Sequence, residues 1–141
     1  MILIDRQQSK MIEYHFINFE NDLIAVEELT SEVAERYNFA AETTGVKSGN
    51  NVGDEKMLKQ IEEIERITDK LRRWIKVVRE TKEYFKNIIH DDFIKLYYEK
   101  RKTISEIANE LYVSPDSVYK YRQDVLNYAA AKADKVGLIK L

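Results

Sequence analysis

The sequence predicts an all-α protein, a long N-terminal antiparallel helical hairpin followed by a C-terminal helix-turn-helix domain. Three observations carry that reading. Only one proline and four glycines occur in 141 residues, and Gly45, Gly49 and Gly53 share one short stretch, so little elsewhere interrupts a helix. Apolar residues recur in alternating steps of four and three along two long segments, the period of a helix face. Two Ser/Thr caps, at Thr103 and Ser114, open shorter segments near the C-terminus.

The first seam runs Ile12, Phe16, Phe19, Leu23, Val26, Thr30, Val33, Tyr37, Ala40 and predicts a single helix from about Arg6 to Glu42. Residues 43–53, rich in Gly, Asn, Ser and Thr, predict a flexible loop, after which Asp54 is placed to cap a second long helix. That helix carries Ile61, Ile64, Thr68, Leu71, Ile75, Val78, Lys82 and Phe85 on its seam, with Glu62–Arg66 among the ion pairs expected off it. A short connection folds two such helices back on each other, so residues 1–89 form the hairpin and residues 90–141 the second domain. Heptads on both helices are equally compatible with a homo-oligomer.

Three shorter helices follow: one over Asp91–Glu99, with Asp91 and Asp92 at its N-terminal cap, one opened by Thr103, one opened by Ser114. Thr103 with Glu106 three residues on makes a capping box. Pro115 sits at a first helical position, where its missing N–H costs nothing, and the helix runs to about Lys135, stopped by Gly137. Val136, Leu138, Ile139 and Leu141 are expected to pack back on the core.

Composition excludes several function classes. Without cysteine there is no disulfide, thiolate metal site or cysteine nucleophile, a usage compatible with the cytoplasm. His15 and His90 fall in different elements, so neither a metal nor a cofactor is expected, and no catalytic constellation emerges. No run approaches the roughly 20 apolar residues of a membrane span, and the apolar start is too short to read as a signal peptide. The net charge of −2 is unevenly spread. Residues 1–53 hold 4 basic and 9 acidic groups, whereas residues 93–141 hold 9 and 6. Phosphate contacts depend on local basic surface, so the C-terminal end is the one suited to nucleic acid.

The segment Ile104–Arg122 carries the functional signal. Ile104, Ile107, Ala108, Leu111, Val113, Val118 and Tyr121 have the spacing of two helices crossing at a tight turn, with small Ala108 where they approach. Such a turn often places glycine where this chain has Tyr112. The second helix would then enter a major groove about 12 Å wide, presenting Asp116, Ser117, Tyr119, Lys120, Gln123 and, in part, Arg122. Lys120 and Arg122 lead as contacts to double-stranded DNA. Thr103 and Ser105 are placed to meet a phosphate, with Lys100, Arg101 and Lys102 adding charge. The basic run Arg72, Arg73, Lys76, Arg79 reads as a solvated face, and Trp74 among it as a side chain packed on the first helix.

On these residues a resemblance can be stated. Asp91 to Ala129, with ISEIANELYVSPDSVYKYRQDVLNYA inside it, resembles the region 4 helix-turn-helix of sigma-70-type sigma factors. The opening IDRQQSKMIEY, the central LRRWIKVV and FIKLYYEKRKTISEIANEL are similar to RinA-like and ArpU-like phage transcription regulators. The resemblance implies a phage or prophage late-gene activator, and it carries the DNA-contact role onto Pro115, Asp116, Ser117, Tyr119 and Lys120. RNA polymerase is an implied partner, while no segment resembles the sigma region that melts promoters. Two other classes remain open, a small-terminase-like DNA-packaging component and a helical protein–protein adaptor.

Overall fold

A computed structural model describes the backbone of residues 4–44 and 52–141, and the side chains of residues 4–39 and 55–141. Every described element is helical: α1 (Arg6–Ile17), α2 (Phe19–Thr44), α3 (Val52–Tyr84), α4 (Ile89–Ile94), α5 (Ile104–Leu111) and α6 (Pro115–Lys135). Residues 1–19 with 73–141 form one compact unit, and residues 20–72 form a second. This division departs from the boundary expected at residue 90. The first helix and the C-terminal part of α3 belong with α4, α5 and α6.

The single long N-terminal helix is in fact two. Asp5 starts α1 with a capping box, its carboxylate accepting the Gln8 N–H at 2.7 Å while the Gln8 side chain accepts the Asp5 N–H at 3.2 Å. At Asn18 the chain leaves helical geometry (φ −98°, ψ 20°). Both the Asn18 N–H and its side-chain amide donate to the Tyr14 carbonyl, at 2.9 and 2.8 Å. A short amide that competes for its own helix's carbonyls is a known interruption, and the seam of apolar residues continues past it without revealing it.

Within residues 20–72, the cross-helix contacts run in opposite chain directions. Arg36 donates to Gln60 at 2.6 Å, the Tyr37 hydroxyl to Glu65 at 3.4 Å, and Arg72 to the Thr30 hydroxyl at 3.0 Å. Ile61 and Thr68 are buried. Arg66 pairs with Glu63 rather than with the expected Glu62. Residues 45–51 of the expected loop lie outside the described residues. Because α3 begins at Val52, Asp54 is inside the helix and not its cap.

The other unit is built around α6. Ile12 and Phe16 of α1, Trp74, Val77 and Val78 of α3, Phe93 and Ile94 of α4, and Ile107 of α5 share one buried cluster with its inner face. Trp74 stacks on His15 of α1, with ring centroids 4.3 Å apart and planes 11° from parallel. Ala129, Ala130 and Ala133 are wholly buried, since only a methyl group lets neighbouring helices approach so closely. Of the four apolar tail residues expected to fold back, Val136, Leu138 and Ile139 pack on this core while Leu141 stays exposed, and the Lys140 carbonyl accepts from Gln8 at 2.9 Å. Gly137, at φ +79°, ends α6 with the Leu138 N–H on the Ala133 carbonyl.

The segment before α5 differs from a plain helix. Ile88 occupies the N-cap of α4 without a side-chain cap bond, and Asp91 and Asp92 lie in its first turn, where the helix dipole favours them. After Ile94 the chain widens into a π-helical turn over Lys95–Glu99, with the Lys100 N–H reaching back to the Lys95 carbonyl at 2.9 Å. The widened turn lets Phe93, Ile94, Leu96 and Tyr98 all be buried, a spacing that no single α-helical face provides.

Candidate nucleic-acid interface

The two caps predicted for α5 and α6 are formed. Thr103 accepts the Glu106 N–H at 3.2 Å and Glu106 accepts the Thr103 N–H at 3.1 Å. Those bonds hold the Glu106 carboxyl below its ordinary pKa, so the N-terminus of α5 already carries an anion of its own. Ser114 accepts the Ser117 N–H at 3.2 Å, followed by Pro115 at the first position of α6. Between the helices the turn closes through Tyr112 in the left-handed region (φ 57°, ψ 44°), with the Val113 N–H on the Ala108 carbonyl at 3.0 Å. This is the geometry glycine usually supplies. A tyrosine adopts it at a cost of about 1 to 2 kcal/mol.

Two faces of α6 are sharply distinct. Val118, Val125, Leu126 and Ala129 form the buried face. Asp116, Lys120, Gln123 and Asn127 follow one another at steps of three and four along the opposite side, with Tyr119 at its edge. Of these, Asp116, Tyr119, Lys120 and Gln123 are exposed, and Gln123 donates to Asn127 at 2.9 Å. Ser117 is half-buried beside its cap and Pro115 is exposed. Thr103 and Ser105 are exposed at the start of α5, although both polar groups of Thr103 are used by its capping box.

Arg122 is placed otherwise than expected. It does not face outward; its guanidinium donates through Nε and Nη2 to Glu13 of α1, at 2.9 and 2.5 Å. The Tyr98 hydroxyl donates to the same carboxylate at 2.6 Å. Glu13 thus takes three hydrogen bonds in a nearly buried position. The bonded carboxylate raises the guanidinium's pKa, and burial followed by the Glu13 charge pushes the Tyr98 phenol well above its ordinary value. Arg122 is therefore a strut between α6 and α1, and its charge is matched inside the protein. Its phase gave the signal: it lies four residues after Val118 and three before Val125, both wholly buried.

Two further contacts involve α6 and α5 in turn. His90 of α4 is hydrogen-bonded to Asp124 of α6 at 2.9 Å (Nε2 to Oδ2), while its ring stacks on Phe85. Lys102 reaches over α5 to Glu110 at 2.8 Å, a bond that raises its pKa and spends its charge internally. Lys120 makes no ion pair with any described residue, and Arg101 likewise.

Charge follows the structural division. Residues 1–19 and 73–141 carry 16 basic and 12 acidic groups, whereas residues 20–72 carry 7 and 13. The first unit therefore carries a net positive charge and the second a net negative one. Among the described residues no group of three or more His, Cys, Asp or Glu side chains is placed to hold a metal, and no helix is long and apolar enough to cross a membrane. Comparison with protein-family models, with curated proteins and with solved structures finds no match to this chain.

Proposed function

We propose that this chain is a sequence-specific DNA-binding transcription regulator that reads the major groove with the N-terminal half of α6. The observation that carries the reading is the outward strip of Asp116, Tyr119, Lys120 and Gln123 on a helix whose opposite face is fully buried. These are groups suited to base edges: lysine donates to guanine, glutamine pairs bidentately with adenine, and a carboxylate accepts from cytosine. A helix clamped by a core on one side and by the Glu13–Arg122 pair at its flank is pre-organised to present them. Arg122 leaves the list of contacts, since using it would break that pair.

The resemblance to phage late-transcription regulators narrows the proposal to an activator of phage or prophage genes. In this reading the acidic residues 20–72 serve protein contacts, with RNA polymerase or a second copy. Selection of bound fragments from genomic DNA tests both levels. A single enriched motif supports groove reading, and enrichment upstream of phage structural genes supports the activator role. Replacing Lys120 and Gln123 with alanine should cost about 1 to 3 kcal/mol for each base read and relax specificity at those positions. A parent protein that retains no fragment above background at low salt would sink the proposal.

A further inference from the structure

Four described residues have a left-handed backbone: Asn87, Arg101, Tyr112 and Gly137. Two of them are residue types that tolerate it, Gly137 without a Cβ and Asn87 with a short polar side chain. The two exceptions bracket α5. Arg101 precedes it, held where the Lys102 N–H closes onto the Leu96 carbonyl at 3.0 Å. Tyr112 follows it, where the Val113 N–H closes onto Ala108. Glycine would suit both closures better.

Neither side chain recovers that cost inside the protein. Tyr112 is 94% exposed, and neither its side chain nor that of Arg101 makes a hydrogen bond or ion pair with a described residue. Each instead adjoins an exposed helix start, Arg101 two residues before Thr103 and Tyr112 three residues before Pro115. The eight residues of α5 rise about 12 Å, which is about the width of a major groove.

We propose that Arg101 and Tyr112 are the phosphate-gripping residues of this domain, one at each end of α5, holding the DNA backbone on either side of the groove that α6 enters. The assignment rests on the DNA-binding reading above and adds to it contacts that carry no base preference. A guanidinium meets a phosphate with two parallel N–H donors, and a phenol donates one O–H. Of the two lysines beside Arg101, Lys102 is already spent on Glu110 while Lys100 is exposed, and the N-terminus of α5 is occupied by Glu106; among these three cations Arg101 alone is set at the left-handed closure.

Binding of the full chain to its selected duplex, followed across a salt series for Arg101→Gly, Tyr112→Gly and Tyr112→Phe, tests the proposal alongside thermal melts. Arg101→Gly should lower the slope of log affinity against log salt by about 1 without changing the ranking of related sequences. Tyr112→Gly should weaken binding about threefold to tenfold at unchanged slope, and Tyr112→Phe should reproduce most of that loss. Both glycine variants should melt above the parent. That combination, a tighter fold with weaker binding, is one that a purely structural role does not produce. Parent-like affinity and slope in both glycine variants would overturn the proposal while leaving the DNA reading intact. A lower melting point in either would also overturn it, because the side chain would then be supporting the turn. A parent that binds no duplex overturns both readings together.

Discussion

Replacing Arg122 with methionine separates two accounts of this residue. Were it a DNA contact, the variant would fold as well as the parent and lose affinity. The structure places its guanidinium on Glu13, which is nearly buried and whose other donor among the described residues is the Tyr98 hydroxyl. Removing the cation leaves a desolvated carboxylate with one neutral partner. Breaking a buried pair from one side costs about 3 to 5 kcal/mol, and the Arg122 side chain is only 32% exposed, so little water replaces it. Neutralising the carboxylate as well, in Arg122→Met with Glu13→Gln, removes the uncompensated charge. The double variant should therefore recover most of the loss, since a paired set of neutral groups is often close to isoenergetic with the ion pair. Glu13→Gln alone should cost less than Arg122→Met, because the partly exposed guanidinium can still reach solvent. Urea unfolding followed by fluorescence of Trp74, the only tryptophan, which stacks on His15 two residues along α1 from Glu13, reads all four proteins. A loss below about 1 kcal/mol for Arg122→Met, with no coupling between the two positions, would refute the strut and restore Arg122 to the DNA surface.

Two further outcomes follow from the same core. Because burial and the Glu13 charge raise the Tyr98 phenol above its ordinary value, the folded state holds that proton more tightly than the unfolded chain. Its contribution is complete below the unfolded pKa near 10 and is lost as pH rises beyond it, so the parent should lose stability steeply in alkali. Tyr98→Phe, less stable at neutral pH by about 1 to 2 kcal/mol, should show a flatter alkaline limb in melts taken from pH 8 to 11; an unchanged limb would show that another group controls it. Ala130 is wholly buried where α6 meets its neighbours, and leucine there should destabilise by about 1 to 3 kcal/mol through overpacking. An unchanged melting temperature in that variant would show the packing to be looser than described.

Much of the candidate site was legible because its signals are local. The Thr103–Glu106 box and the Ser114–Pro115 start lie within a few residues of the helices they begin, and both formed where expected. The end of α6 at Lys135 followed from Gly137. The outward strip of α6 was also readable, apart from one member. Arg122 was misjudged because its partner is 109 residues away, although strict helical phasing already placed it near Val118 and Val125. The break at Asn18 was hidden for a different reason: the apolar seam passes through it unbroken, and only the side-chain bond to Tyr14 reveals it.

The sequence by itself determined that the chain is helical and where α5 and α6 begin, since periodicity, caps and proline act over one or two turns. Tertiary structure decided how those helices are shared out. A lone α1 has no way to signal that its Ile12, Glu13 and Phe16 will pack on a helix more than a hundred residues on. That choice depends on a buried carboxylate finding Arg122 and Tyr98 together, a match of three groups from three elements that no local pattern encodes. The same contacts decided which cations are free to meet a phosphate. Composition counts Lys102, Arg122 and Arg101 alike, whereas the fold neutralises the first two and leaves the third in solvent.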